Sequence, residues 1–354
     1  MLRLTDRDWK EFYIAGKNGL FKLESTSSGI DKNKLNFTLG NIPYITRTDS
    51  SNGINLFVDD NQNDKYKIDV NNVITIGLDT QTVFYQPHKF YTGQNIQVLS
   101  NDYLNKHNAK FICRLLKLQL KKFNWGGNGA TLGRLKRTKI ILPVNENSDP
   151  DYDFMEAYVK EQEQKKIQEY ITYAKKALAK LEYKEIFALK EIEWKDFFIT
   201  EVFDEVQRGK RLTKLNQTDG DKPYVSSSAL NNGVDNFISN ANGVRCFEDC
   251  ISLANSGSVG SSFFHPYIFV ASDHITHLKN KQFNKYVYLF IATLTNRLSG
   301  KYNFNREIND TRISREKIVL PVNEDGKPDF GYMEQYAKNL ILKKYQEYLD
   351  WVVV

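Results

Sequence analysis

The sequence predicts an α+β protein: two tandem modules of mixed β-sheet with short helices, separated by two long helices packed as an antiparallel coiled-coil spacer. Three observations carry this reading. The chain repeats itself, each copy is a series of short strand-like runs broken by turn residues, and each copy runs into a long stretch of helix-forming residues.

The repeat comes first, because missing it would misassign everything else. Trp9-Lys10-Glu11-Phe12 returns as Trp194-Lys195-Asp196-Phe197. Ile42-Pro43-Tyr44-Ile45 with Asn52-Gly53 returns as Lys222-Pro223-Tyr224-Val225 with Asn232-Gly233. Phe84-Tyr85-Gln86-Pro87 answers to Phe263-Phe264-His265-Pro266. Lys139 to Glu146 (KIILPVNE) matches Lys317 to Glu324 (KIVLPVNE), and Met155-Glu156 and Met333-Glu334 follow. The offset drifts only from 185 to 178 residues, so one module is used twice with small loop insertions.

Within each copy, Val73–Ile76, Ile96–Leu99, Cys250–Leu253 and Ile268–Val270 have strand composition. Residues 103–121 and 283–298 carry apolar side chains at three-to-four spacing and predict helices. From Asp153 to about Lys184 there is no Gly or Pro. Met155, Ile167, Ile171 and Leu178 mark a stripe along a helix ~48 Å long at ~1.5 Å per residue. Its twin begins near Tyr332 and carries Met333, Leu340 and Tyr345. Such stripes want a helical partner, and each arm is the obvious partner of the other. The boundaries are then 1–150 and 189–330 for the modules, with 151–188 and 331–354 for the arms.

Composition narrows the function. The apolar fraction of 41% and charged fraction of 26% are those of a soluble globular protein, with no apolar run long enough for a membrane span. The N-terminal segment has acids where a signal peptide needs an apolar run, and three cysteines do not suit a disulfide framework, so a cytoplasmic location is expected. Cys246 and Cys250 are read as buried thiols. Net charge is +6, and its distribution matters more. Residues 103–145 and 274–305 contain no acid while lysines and arginines recur, which suggests two phosphate-facing surfaces.

DNA readout needs cations for phosphates and Arg, Asn, Ser or Thr for base edges. Both copies supply them in two places. The loop after Pro-Tyr holds Arg47, Thr48, Ser50 and Asn52, then Ser226, Ser227, Ser228 and Asn231. The segment before the closing strand holds Lys122, Asn124, Asn128, Arg134, Lys136 and Arg137, then Lys301, Asn303, Arg306, Arg312 and Arg315. These loops differ between copies while the framework agrees.

Catalytic motifs fail on inspection. Asn41-Ile42-Pro43-Tyr44 and Asp221-Lys222-Pro223-Tyr224 lack the first proline of an amino-methyltransferase signature. Pro150-Asp151 with Glu182-Tyr183-Lys184 matches a nuclease pattern only in the first copy. Gly126-Gly127-Asn128-Gly129 lacks the Lys-Ser/Thr of a phosphate loop, and the histidines and cysteines make no metal-ligand spacing.

With the tandem modules, the Pro-Tyr turns, the closing Leu-Pro-Val-Asn-Glu segments and the long helices in view, the chain resembles the specificity subunit of a Type I, or related Type IIB, restriction-modification system. The resemblance covers nearly its whole length. It implies that each module reads half of a split DNA site and that the arms set the gap and bind methyltransferase subunits, with a restriction subunit as a further partner. It also implies that this chain is not itself an enzyme. S-adenosylmethionine, and Mg2+ or ATP where used, would then bind the partner subunits. The alternative from the residues alone is a protein-docking scaffold or inhibitor built from duplicated modules.

Overall fold

The computed structural model of the chain describes residues 1–123 and 129–353. It divides into two compact units, Met1–Tyr170 and Ile171–Val354. Among the described residues no helix is long and apolar enough to cross a membrane.

The first unit is built on a six-stranded sheet in the order Val83–Gln86, Val73–Gly77, Ile96–Ser100, Gly19–Ser25, Asp8–Ala15, Lys139–Val144. The closing strand runs antiparallel to the first, with Trp9 opposite Pro143 and Phe12 opposite Ile140. Proline is tolerated at this position because the strand lies at the sheet edge. A helix, Lys106–Leu120, covers one face. Its N-cap is Asn105, whose side chain accepts from the amides of His107 and Asn108. Phe111, Ile112, Leu116 and Leu120 pack from it onto Ile14, Ile74, Ile76 and Leu99. A second, three-stranded sheet of Ile54–Val58, Ile42–Ile45 and Tyr91–Thr92 has its own core of Ile30, Leu35, Tyr44, Val58 and Tyr91.

The second unit repeats the plan with one break. Trp194–Phe198 pairs with Lys317–Pro321 as a separate two-stranded sheet. Glu205–Arg208, Ile275–Lys279, Cys250–Ala254 and Ser262–His265 form a four-stranded one. The short helix Ile199–Val202 separates them, where the first unit keeps one sheet. Asn284 caps the covering helix, Lys285–Thr295, as Asn105 does in the first unit. Val234–Ile238, Asp219–Val225, Phe269–Ala271 and Cys246–Phe247 make the outer sheet. Cys250 is buried at the start of its strand in the other four-stranded sheet, but Cys246 is exposed on a two-residue strand of the outer one, which corrects the expectation that both thiols are buried.

The arms root in their own modules. Met155 and Met333 are fully buried, each inside the core of the module before it. An aromatic chain repeats beside them. Trp9 stacks on Phe111, which meets Tyr158 edge-on at 5.8 Å; Trp194 stacks on Phe290, which meets Tyr336 edge-on at 5.5 Å. The two methionines therefore do not belong to a spacer stripe. A three-to-four spacing shows that a helix face is buried, not against what.

The first arm runs Tyr152–Leu178, about 40 Å at ~1.5 Å per residue, rather than on to Lys184. The reason lies within the second unit. After Leu178 the chain leaves the helix and residues 182–187 lie along the C-terminal arm, Phe330–Val353. Asn339 accepts from the Lys184 amide at 3.3 Å and donates to its carbonyl at 2.7 Å. Gln335 donates to the Glu182 carbonyl and Tyr332 to that of Phe187. These side chains replace the helical partners of the strap's backbone, so local helix propensity is overridden. Ile167, Ile171 and Leu178 are half-buried, Tyr345 meets Tyr173 edge-on at 6.1 Å, and Leu340 is exposed.

Candidate nucleic-acid interface

In both units the two loop segments singled out from sequence are brought together by a third loop, and the same backbone hydrogen bonds do it. In the first unit Ala130 donates to the Leu78 carbonyl, Leu78 to that of Asn95, and Gly93 to that of Ile45, at 2.8–3.0 Å. In the second, Ile308 donates to Asn255, Asn255 to His274, and Ser272 to Val225, over the same range. The joining loops, 78–82 and 255–261, are the turns between paired strands. Nothing in their composition is cationic, so a search for positive charge passes over them. Their signal is position: polar residues between two strands that must pair.

Side chains on this shared frame differ. Arg47 forms an ion pair with Asp79, which also accepts from Asn95 at 3.3 Å. The equivalent positions hold Ser227, Ser256 and His274, with the Ser256 hydroxyl and His274 Nδ1 2.6 Å apart. Asp79 fixes one edge of the guanidinium and leaves other N–H donors directed outward.

Local turns explain several of the selected residues. Thr48 and Ser50 bond to each other at 2.9 Å, and Ser228 accepts from the Leu230 amide at 3.0 Å, so both loops open with the same side-chain turn. Ser226 donates its amide to the Gly233 carbonyl. Ser51-Asn52-Gly53 and Asn231-Asn232-Gly233 each hold three successive positive φ angles. The left-handed region favours Asn and Gly. Asn52 also binds the Tyr85 carbonyl and the Gln86 side chain, which ties its amide to the module.

In the segment before the closing strand, Thr131 and Asn309 cap the short helices Leu132–Lys136 and Asp310–Ile313. Arg134 donates to the Gly129 carbonyl and Arg312 to that of Glu307, the same five-residue clasp in both copies. Lys122 sits 5.4 Å over the Phe123 ring, and Arg306 stacks 5.3 Å over Tyr302. Asn303 accepts from the Asn305 amide. Lys136, Arg137 and Arg315 are exposed, and Arg137 and Arg315 are equivalent positions. Asn124 and Asn128 lie outside the described residues.

Lys301 has a different task from the one its charge suggested. It grips both oxygens of Glu316 at 2.8 Å, and Glu316 is buried and also accepts from the Tyr302 hydroxyl. A buried carboxylate needs a compensating cation, which gives Lys301 a structural role inside the module. Burial and the adjoining Glu316 push the Tyr302 phenol up to about 12, so it stays a donor. Cations that were passed over include Arg208, Lys210, Arg211 and Lys214, an acid-free run legible in the sequence. Arg208 Nε lies 3.9 Å from Asp310, beside the Arg312 clasp.

One difference between the copies is a pH sensor of stability. Gln86 donates to Thr75 in the first unit; His265 takes that place, 2.8 Å from Ser252, in the second. His265 is fully buried, and desolvation lowers its pKa from 6.5 to about 4. The unfolded chain therefore binds the proton first as pH falls through 6.5, and stability drops until about pH 4. Chemical denaturation at pH 5 against pH 7 should show a loss of about 2 kcal/mol from this group. His265→Gln, the residue of the other copy, should remove it; an unchanged pH dependence would refute the assignment.

Comparison with known proteins fits this duplicated frame. The model of the Type I restriction modification DNA specificity domain matches residues 7–172 and again 191–348. The Type II restriction enzyme BgcI specificity subunit S.BcgI of Heyndrickxia coagulans is 31% identical over 315 residues, spanning 88% of this chain and 89% of that protein. Among solved structures, the Type I restriction-modification S subunit from M. genitalium aligns over 99% of this chain and 93% of its own, at 17% identity and a TM-score of 0.46. The HsdS subunit from Thermoanaerobacter tengcongensis aligns over 97% and 95%, at 12% identity and a TM-score of 0.31. With its domain model matched twice across most of its length, the chain belongs to the family of restriction-modification DNA specificity subunits.

Proposed function

We propose that this chain is the non-catalytic, sequence-reading subunit of its system, that each module reads one half of a bipartite duplex site, and that the arms direct methyltransferase and restriction subunits to it. The observation that carries the reading is one loop frame, closed by the same backbone bonds, holding Arg47, Asp79 and Asn95 in one copy and Ser227, Ser256 and His274 in the other. A common frame with different donors and acceptors is what two readers of two different half-sites require. The exposed pair Arg137 and Arg315 supplies a phosphate contact to each. Half-sites on one face of a duplex lie about 34–36 Å apart, and a 27-residue arm of about 40 Å can bridge that distance. The Tyr173–Tyr345 contact supports arms that pack against each other antiparallel. S-adenosylmethionine, and Mg2+ or ATP where used, belong to the partner subunits on this reading.

The test is selection of bound duplexes from a random library, with the full chain and methyltransferase subunits together. Two short blocks at fixed spacing are expected. Exchanging residues 46–50 for 226–230 should alter one block and leave the other and the spacing intact. Failure to enrich any motif, with no duplex binding even at low salt, would sink the reading and leave a protein-docking scaffold.

A further inference from the structure

Beside the loop frame of the first module runs a groove of about 600 Å³, lined by Asn52, Phe84, Tyr85, Lys106, Arg114 and Lys117 among others. Its cations come from one face of the covering helix, and they are placed differently from the lysines of this chain that are held by carboxylates. Lys139, Lys160, Lys166, Lys317, Lys338 and Lys344 each sit within 3.0 Å or less of a carboxylate. Lys106 and Arg114 are exposed and make no ion pair among the described residues. Lys117 lies 4.5 Å over the Phe84 ring, which orients its ammonium without neutralising it. Lys110, in the same face, is held by Glu163.

Two further observations bear on what occupies this groove. It is continuous with the candidate interface, because Asn52 lines it and closes the loop that begins at Arg47. Its charge is also largely peculiar to one copy: Lys285 answers to Lys106, but the other positions differ. The equivalent helix of the second module puts Leu289, Thr293 and Asn296 where the first has Lys110, Arg114 and Lys117. Shared architecture therefore does not require Arg114 or Lys117 to be charged.

Resting on the recognition reading above, we infer that the first module carries a second track for the DNA backbone. Lys106, Arg114 and Lys117 hold the phosphates of duplex flanking its half-site, whereas the second module keeps only Lys285 of such a track. From Lys106 to Lys117, eleven steps along the helix, the three charges span about 16 Å, enough to meet several phosphates of one strand at ~3.4 Å of axis each. The contact is blind to sequence, so it adds reach and affinity on one side of the site without adding a base to the motif.

The experiment uses the full chain with its methyltransferase subunits and the selected duplex extended on both sides. In the Lys106→Gln, Arg114→Gln, Lys117→Gln triple variant the selected motif should be unchanged. The slope of log affinity against log salt should flatten by about 2.7, so that the loss between 50 and 200 mM salt shrinks by about 40-fold. Chemical footprinting should retreat only on the side of the first module's half-site. Conversely, Thr293→Arg with Asn296→Lys should extend the footprint on the other side. A salt slope and footprint equal to wild type would overturn the inference and leave the recognition reading standing. Weaker binding of the methyltransferase with unchanged DNA binding would also overturn it, assigning the groove to an acidic protein surface. If wild type binds no duplex at all, the recognition reading falls and this inference with it.

Discussion

Met155→Ala is expected to lower the unfolding free energy of the first module by about 2–5 kcal/mol, and Met333→Ala that of the second by as much. Both side chains are fully buried among the strands and covering helix of their own module. Truncation removes their packing and leaves a cavity under the first turns of the arm. If the arm roots served only to meet each other, these substitutions would weaken the pairing of arms and spare each module. Ile167→Ala is the contrast: it is half-buried in a helix flanked by exposed residues, and should cost well under 1 kcal/mol. Urea unfolding followed by tryptophan fluorescence separates these outcomes. Equal and small effects for all three would show that the roots are not part of the module cores.

The same methionines show what a sequence does and does not disclose here. Repetition exposed the two modules and their order, because Trp9 and Trp194, or Pro143 and Pro321, do the same job in the same place. Strand runs at 73–77, 96–100 and 250–254 were legible because β-branched and other apolar residues cluster between turns. Partnership was not legible. Periodicity marked Met155 as buried but could not say that it joins the module core that holds Phe111 and Ile112. Charge marked Lys301 but could not show that Glu316, fifteen residues on, is buried beneath it. Helix propensity carried the first arm to Lys184 because the competing interaction, Asn339 on the Lys184 backbone, comes from 155 residues away. The third loop of the interface was missed for a related reason. Asp79 is an acid, and its relevance lies in what it does to Arg47.

The joint between the two sheets of each module gives the second large effect. In the first module Asp69 is buried and accepts from four donors: Thr26 Oγ1 at 2.6 Å, Ser28 Oγ at 2.7 Å, and the amides of Ser27 and Ser28 at 2.7 and 3.3 Å. Through Ser28 the network reaches the Thr92 amide, and Ile30 then donates to the Thr92 carbonyl. The Ile30 carbonyl in turn accepts from the Tyr44 hydroxyl at 2.6 Å, so the outer sheet and the loop after Ile45 hang from this cluster. Asp69→Ala should cost about 3–5 kcal/mol, since bonds to a charged acceptor are the strong ones and the orphaned donors stay buried. The second module makes the same joint without a carboxylate. Tyr224 donates to the Leu212 carbonyl, Lys210 donates its amide to Ala271, and Gly209 lies so close to Ser272 that an added Cβ would sit 2.2 Å from its carbonyl oxygen. Gly209→Ala should therefore be the second module's equivalent of Asp69→Ala. If the joint positions the reading loops, each substitution, at temperatures where the chain remains folded, should blur its own block of the selected DNA motif and leave the other block sharp. Loss of both blocks together, or of neither, would show that the joint does not hold the loops in place.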